Sequence, residues 1–560
     1  MAEQDCQSDT NKAAPLSAEE GIKGSQLPDI DEQYDRSDSK KEAPLSVEEV
    51  IEGSLGRMNC SQMVQAFLAS VLPMFDNQQT FISVFTDAQP KWHCVSESRI
   101  GGSCTSSSNI CNLSRSEWAW TGNKHNTIIS DWDLQCASSF IKGLPATSYF
   151  MGCLLGGYVL ASLGDSSLGR KNLLCLSCLV MSLASFASAF SPNIWVYSVL
   201  RFIAGVGRVS ITISSFVLLS ERVGKRWRGQ IVMIGFLFLT MGLLSLSALA
   251  YLTRNSSWST LYLCTSIPGF VCSILIHFFL CESPRWLFMM GRPMEAVNVL
   301  KSIGSLDDHT SSMLPNILEI NQGIPNNNGK NPFSSMKILV KKRWAIRRLI
   351  VAMVLSFGVG MMYFGMLLGV GGLGLNIYLS STFNALLFLS SCLLTFLFWI
   401  PRCNRRSSVL GFCTISGAAG IISITFGHHH KGAHVGLELI ALFCACMVFN
   451  ILFMYVVELF PTCIRNTAAS LSRQALLLAS VFVPVLVVIG RSNQLFSHAV
   501  FGVTILLCGL LVISLPETKG KVLCDSMEEQ EAQDKDVACV PKFWLIMFID
   551  AHLSHCRSLS

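Results

Sequence analysis

The sequence predicts an all-α membrane protein with about twelve spans in two similar six-helix halves. Three observations predict it: apolar runs long enough to cross a bilayer, a one-sided distribution of Lys and Arg around them, and a set of cytosolic motifs that recurs about 235 residues later. Only 14% of the 560 residues are charged while 51% are apolar, a balance that cannot dress a water-facing surface of this length.

The first six runs are residues 62–85, 144–163, 173–190, 195–218, 231–251 and 261–280. After a long polar stretch come 349–370, 377–400, 409–426, 435–457, 467–490 and 496–515. The chain thus divides into a cytosolic N-terminal tail (1–61), a first half (62–281) containing an extracytoplasmic loop (88–141), a cytosolic linker (282–348), a second half (349–515) and a cytosolic C-terminal tail (516–560). The first run follows about sixty polar residues and no small-residue cleavage pattern follows it, so it reads as a retained helix and not a removed signal peptide.

Orientation follows from the basic residues. Arg170 and Lys171, then Arg222, Lys225, Arg226 and Arg228, then Lys341, Lys342, Arg343, Arg347 and Arg348, and finally Arg402, Arg405 and Arg406 all share one face if both termini are cytosolic. Near Ser46, a capping-box pattern closed by Glu49 predicts a short cytosolic helix before the first span. It lies in the second copy of a duplicated Ala-Pro-Leu-Ser segment. The Asn326 to Asn331 stretch reads as flexible linker, and the apolar ending Phe543 to Phe548 is too short to span.

The loop carries Cys94, Cys104, Cys111 and Cys136 among Trp92, Trp118, Trp120 and Trp132. In an oxidising compartment these predict two disulfides of open pairing, in preference to a zinc site, for which the close cysteine pairs are missing. Sequons at Asn112 and Asn255 fall in extracytoplasmic segments and are candidate glycosylation sites.

The internal repeat makes the two halves specific. Arg170-Lys171 corresponds to Arg405-Arg406, Glu221 with Arg228-Gly229 to Glu458 with Arg465-Asn466, and Glu282-Ser283-Pro284-Arg285 to Pro516-Glu517-Thr518-Lys519. The matched acids and bases are expected to pair across the halves in one state and to separate when the halves rock, which makes Asp165, Arg170, Glu221, Arg228, Glu458 and Arg465 candidate gating residues. Plain positive-inside decoration accounts for the bases but not for the matched glutamates.

At these residues, with Asp165 before Gly169-Arg170-Lys171 and Arg201-Phe202 before Gly205 and Gly207, the chain resembles the major facilitator superfamily. More narrowly it is similar to the plant organic cation/carnitine transporters. That likeness rests on the strings Phe75-Asp76-Asn77-Gln78-Gln79-Thr80-Phe81, Trp92-His93-Cys94, Asp131-Trp132-Asp133-Leu134-Gln135-Cys136, Asn376-Ile377-Tyr378-Leu379-Ser380 and Glu458-Leu459-Phe460-Pro461-Thr462. It covers about Ser46 to Asp525 and implies transport of organic cations or zwitterions such as carnitine. Two departures stand out: Ser166 follows Asp165 where the family usually has a base, and Phe388 stands where members usually carry an acid.

A charge in hydrocarbon costs at least about 2.5 kcal/mol, so each intramembrane ionisable group calls for a role. Asp76, beside Gln79, can pair with a quaternary ammonium or accept a proton. Glu438 is a second candidate acid, or a carboxylate favoured at a helix start. Arg201 can respond to a coupling proton, and Arg473 can bind a carboxylate or snorkel to the cytosolic surface. Tyr363, with Phe364 and Tyr378, can face a cation, though aromatics at these places more often simply pack.

His428-His429-His430 reads as a solvated loop in preference to a metal site. The Gly369 to Gly374 segment lacks the ending of a phosphate loop. No enzyme, cofactor, metal or nucleic-acid partner is expected. The expected partners are the bilayer, a small organic cation or zwitterion and a coupling proton, in the plasma membrane or the vacuolar membrane. A sugar or anion porter of the same fold and a non-transporting receptor are the rival readings.

Overall fold

The computed structural model describes residues 47–56, 58–95, 104, 109–164, 169–224, 226–303, 339, 341–369, 376–426, 431–492, 494–520, 524, 527–532 and 534. Asp165, the duplicated tail segments before residue 47, the Asn326 to Asn331 stretch, His428 to His430 and the Phe543 to Phe548 ending lie outside them.

Twelve long helices occupy the twelve apolar runs: Cys60–Phe81, Ser139–Gly164, Arg170–Ser188, Ile194–Glu221, Arg228–Leu252 and Trp258–Phe279, then Arg343–Leu368, Ile377–Leu394, Arg405–Phe426, Lys431–Leu459, Thr462–Ser492 and Gln494–Leu510. They are called the first to twelfth spans below. Among the described residues, ten of them are long and apolar enough to cross a membrane. The first carries Asp76, Asn77, Gln78 and Gln79, all buried, so its polar face points into protein and not into lipid. The lipid-facing positions stay apolar, as Phe186, Val199, Ile274 and Phe453 show by their exposure.

Small residues set how closely the spans meet. A Cβ at Gly205 would strike the Tyr149 carbonyl, and one at Gly152 the Phe202 carbonyl, so the second and fourth spans pack backbone to backbone. Gly207 does the same for the fourth span against Met181 of the third. Between the halves the second span packs on the eleventh and the fifth on the eighth.

At the end of the bundle that the basic residues mark, the expected short helix is Val47–Leu55. Its Ile51 and Leu55 bury against Leu300 and Ile303 of the helix Pro293–Ile303. Its Glu52 pairs with Arg228 at 2.5 Å and with Arg285. On the other side, the loop holds something an all-α reading did not anticipate: Trp92–Cys94 pairs antiparallel with Trp118–Trp120. Three-residue strands are too short to show an alternating pattern in sequence. The loop is pinned by Asp131, whose Oδ2 accepts from Trp258 Nε1 at 2.9 Å, and by Trp132, packed against Tyr197 and Trp258.

Candidate functional site

The first span places Asp76 at its polar stretch, and the fourth span brings a residue that sequence reasoning passed over. Arg208 Nε lies 2.5 Å from Asp76 Oδ1, and Thr212 Oγ1 donates to Oδ2, also at 2.5 Å. The Asp76 side chain is 1% exposed and that of Arg208 14%. Asp76 is therefore engaged within the protein by a base that the sequence reading did not name. A signal was present: Arg208 follows Arg201 by two helical turns, which puts both guanidiniums on the same side of the fourth span.

Arg201 is fully buried, and among the described residues its guanidinium is hydrogen-bonded to no carboxylate. One guanidinium nitrogen, Nη2, donates to the Gln79 carbonyl at 3.1 Å. The cation lies 4.1 Å from the centre of the Tyr149 ring and 5.9 Å from that of Tyr262, which offsets part of its desolvation. Its Nε and Nη1 are buried with no hydrogen-bond partner. Gln79 itself donates to Thr265 at 2.9 Å, which fixes the first span to the sixth.

Arg473 enters from the other half. Its Nη2 donates to the Val209 carbonyl at 3.1 Å, next to Arg208, and it feels the charges of both Arg208 and Asp76. Among the described residues it bonds to no protein carboxylate, and the carbonyl it reaches belongs to the fourth span. The polar centre between the halves thus holds Asp76, Arg208 and Arg473 together.

An aromatic layer adjoins it. Tyr363 stacks on Phe449 with ring centres 4.6 Å apart and packs on Phe364 and Phe388. Phe388 is therefore part of this layer, filling with an aromatic ring the place where a carboxylate was looked for. Phe364 in turn meets Phe81 and Phe150 of the first half. Nearer the outer surface Tyr378 stacks on Phe85, with 5.7 Å between centres.

Glu438 sits elsewhere, in the outer part of the second half. It contacts His498 of the twelfth span and His434 one turn back, the latter at 3.6 Å. Neither histidine was anticipated: His434 follows from i,i+4 spacing on the same span, while His498, sixty residues on, is brought in by packing.

Among the described residues, the pairs that these repeated motifs form lie within a half. Arg405 pairs with Glu458 at 3.3 Å, and Glu517 accepts from the backbone amides of Arg405 and Arg406 at 2.8 and 3.1 Å. The first half repeats the second feature: Glu282 accepts from the Lys171 amide at 3.1 Å. Each acid caps the start of a helix, where unsatisfied N–H groups favour a negative charge. Burial nevertheless pushes the Glu282 carboxyl above the ordinary range, against the pull of those amides. Arg228 is taken by Glu52, Arg465 reaches the Phe460 carbonyl, and one oxygen of Glu221 is buried without a hydrogen bond. Arg170 starts the third span beneath Glu282.

In the loop, Cys94 is bonded to Cys104 and Cys111 to Cys136. Asn112 and Asn255 are both exposed.

Two six-helix bundles around a buried polar centre define a transporter of the major facilitator type, and the comparisons agree. The inward-open xylose transporter XylE from E. coli superposes with a TM-score of 0.59 at 17% identity, covering 84% of this chain and 99% of that one. A family model described as "Sugar (and other) transporter" matches residues 77–529. Organic cation/carnitine transporter 3 of Arabidopsis thaliana is 48% identical over 478 residues, covering 85% of this chain and 92% of that protein. Organic cation/carnitine transporter 2 of the same plant is 47% identical over 496 residues, with 86% and 93% covered. The chain belongs to the sugar (and other) transporter family of the major facilitator superfamily and, within it, to the plant organic cation/carnitine transporters. It is a multi-pass membrane protein that transports small molecules.

Proposed function

We propose that this chain carries organic cations or zwitterions such as carnitine by alternating access, with the substrate held at the midplane between the halves. The observation that carries the reading is the meeting, between the halves, of a buried carboxylate–guanidinium pair, Asp76 and Arg208, with Arg473 and the Tyr363 layer. Aromatic faces hold an ammonium at modest desolvation cost, and the guanidinium of Arg473 suits a carboxylate. Similarity to relatives named for organic cations and carnitine supports the same class.

A coupling proton enters this proposal through Asp76: protonation of its carboxylate releases Arg208, which can then change partners as the halves rock. Glu458 with Arg405, and Glu282 and Glu517 on the backbone amides of Lys171 and of Arg405 and Arg406, hold these ends of each half together as units that move as bodies. The disulfide-bearing loop fits an oxidising space, either outside the plasma membrane or inside the vacuole.

The test is uptake of labelled carnitine into proteoliposomes containing the purified full chain. Saturable, competable uptake is expected. Binding without flux would favour a receptor, and flux of a hexose with no response to carnitine would favour a sugar porter.

A further inference from the structure

A second carboxylate is buried in the first half, nearer the outer surface than Asp76. The first span continues through the short helix Ser83–Thr86 into Asp87, which is 6% exposed. Its neighbours Thr86 and Ala88 line a cavity of about 1020 Å³ at the outer end between the halves. Phe85 and Trp258 of the first half and Asn376 and Tyr378 of the second also stand in the wall of that cavity, with the bases Lys91, Lys142 and Arg254.

Asp87 is linked inward by a chain of hydroxyls. Its Oδ1 accepts from Thr86 Oγ1 at 2.8 Å and from Tyr197 Oη at 3.2 Å, and the Tyr197 and Tyr262 hydroxyl oxygens are 2.6 Å apart. Trp258 packs against both tyrosine rings. The Tyr262 ring is one of the two beside the Arg201 guanidinium, and Arg201 feels the Asp87 charge. Two phenols therefore stand between this acid and this base.

Asp76 and Arg208 lie deeper, Arg208 being two helical turns, about 10 Å, further along the fourth span than Arg201. Both guanidiniums flank the Tyr149 ring, 4.1 and 5.9 Å from its centre. Two like charges so placed repel, and each is stabilised by the acid at its own end. The groups whose charge acts with that of Asp76 are Arg208, Tyr149, Cys153, Cys178 and Arg473. Around Asp87 they are Tyr197, Tyr262 and Arg201, with the bases of the cavity wall beyond.

We infer that Asp87 is the positioning residue for Arg201: acting through Tyr197 and Tyr262, it keeps this guanidinium away from Asp76, so that the transport carboxylate has Arg208 as its fourth-span base. This inference rests on the proposed coupling role of Asp76 and adds a residue to it. Without the Asp87 charge, Arg201 is left uncompensated in a dry interior. Its Nε and Nη1, buried with no hydrogen-bond partner, then gain most by turning to the Asp76 carboxylate. A carboxylate beside two bases keeps its charge to lower pH.

Uptake of labelled carnitine into proteoliposomes of the full chain, followed against external pH, tests this. Wild-type uptake should rise as the outside is acidified. Asp87→Asn should move that rise to lower pH by about one unit, Tyr262→Phe should move it the same way by less, and Asp87→Glu should follow the wild type. An Asp87→Asn protein with the wild-type profile overturns the inference and leaves coupling through Asp76 intact. Wild-type uptake that ignores pH overturns the coupling and the inference with it. Where Asp87→Asn yields no folded protein, Tyr262→Phe decides, because it removes one hydroxyl and keeps the ring.

A stability measurement separates positioning from plain packing. If Arg201 turns to Asp76 once Asp87 is neutral, it replaces the base that Arg208→Gln removes. Arg208→Gln should then lower the unfolding temperature of Asp87→Asn protein by no more than about half as much as it lowers that of the wild type. Equal losses in the two backgrounds would show that Arg201 does not change partner, against the inference.

Discussion

Arg208 and Asp76, 132 positions apart in sequence, meet with 2.5 Å between Nε and Oδ1 in the interior of the first half. Thr212, one helical turn beyond Arg208, holds the second carboxylate oxygen. Removing one member of a buried pair strands the other, at a cost of about 3–5 kcal/mol, more than the pair itself contributes. Asp76→Asn is therefore expected to lower the stability of the detergent-solubilised protein strongly, and Arg208→Gln to do likewise. The double variant should be destabilised by less than the sum of the two, measured by thermal unfolding of all four proteins. Additive losses would mean that the two groups do not depend on each other.

Glu282 gives a pH signature outside the spans. Burial raises its carboxyl in the folded protein above the value of about 4.3 that it has in an unfolded chain. A raised value means that the folded state holds the proton more tightly. Its contribution to stability is then full below the ordinary carboxylate range and is lost as pH rises through the raised value. Glu282→Gln keeps the protonated shape at every pH. The wild type should accordingly lose more thermal stability than this variant between about pH 4.3 and neutrality, and parallel profiles would contradict the assignment.

The two loop disulfides close segments of different length, with separations of 10 and 25 residues. On the chain-entropy account the longer closure contributes about 0.8 kcal/mol more, from the logarithm of the ratio of lengths. Cys111→Ser should thus lower the stability of the loop more than Cys94→Ser does. Limited proteolysis of the loop under non-reducing conditions reads this directly, as faster cleavage in the Cys111 variant.

Gly205→Leu should prevent the second and fourth spans from closing on each other, since the first added carbon already meets the Tyr149 carbonyl. Loss of monodisperse protein on size-exclusion chromatography is the expected outcome. Leu at Gly432, where nothing lies within 4 Å of an added Cβ, should leave the chromatogram unchanged.

The spans were legible because hydrocarbon thickness imposes a length on every apolar run, and the symmetry was legible because Glu221 and Glu458 recur at matched places. The repeat could not say which base each acid meets. Matched positions look the same whether the pairs lie within a half, as Arg405 and Glu458 do, or across the two. Asp76 was recognisable as a buried carboxylate, but its partner is chosen by the packing of the first and fourth spans, which no local pattern encodes. Glu438 drew notice for the same reason as Asp76. His434, one turn back on the same span, was within reach of the helical spacing, whereas His498 became visible only once the tenth and twelfth spans were side by side.

The attachment of the outer loop through Asp131 to Trp258 and through Trp132 to Tyr197 has a mechanical meaning. All these anchors belong to the first half, so the described part of the loop is fastened to that half. Tyr378 belongs to the opposite wall of the outer cavity, and its stack on Phe85 crosses the seam. Widening that cavity between the halves would part the Tyr378 ring from both Phe85 and Tyr251 of the opposite wall.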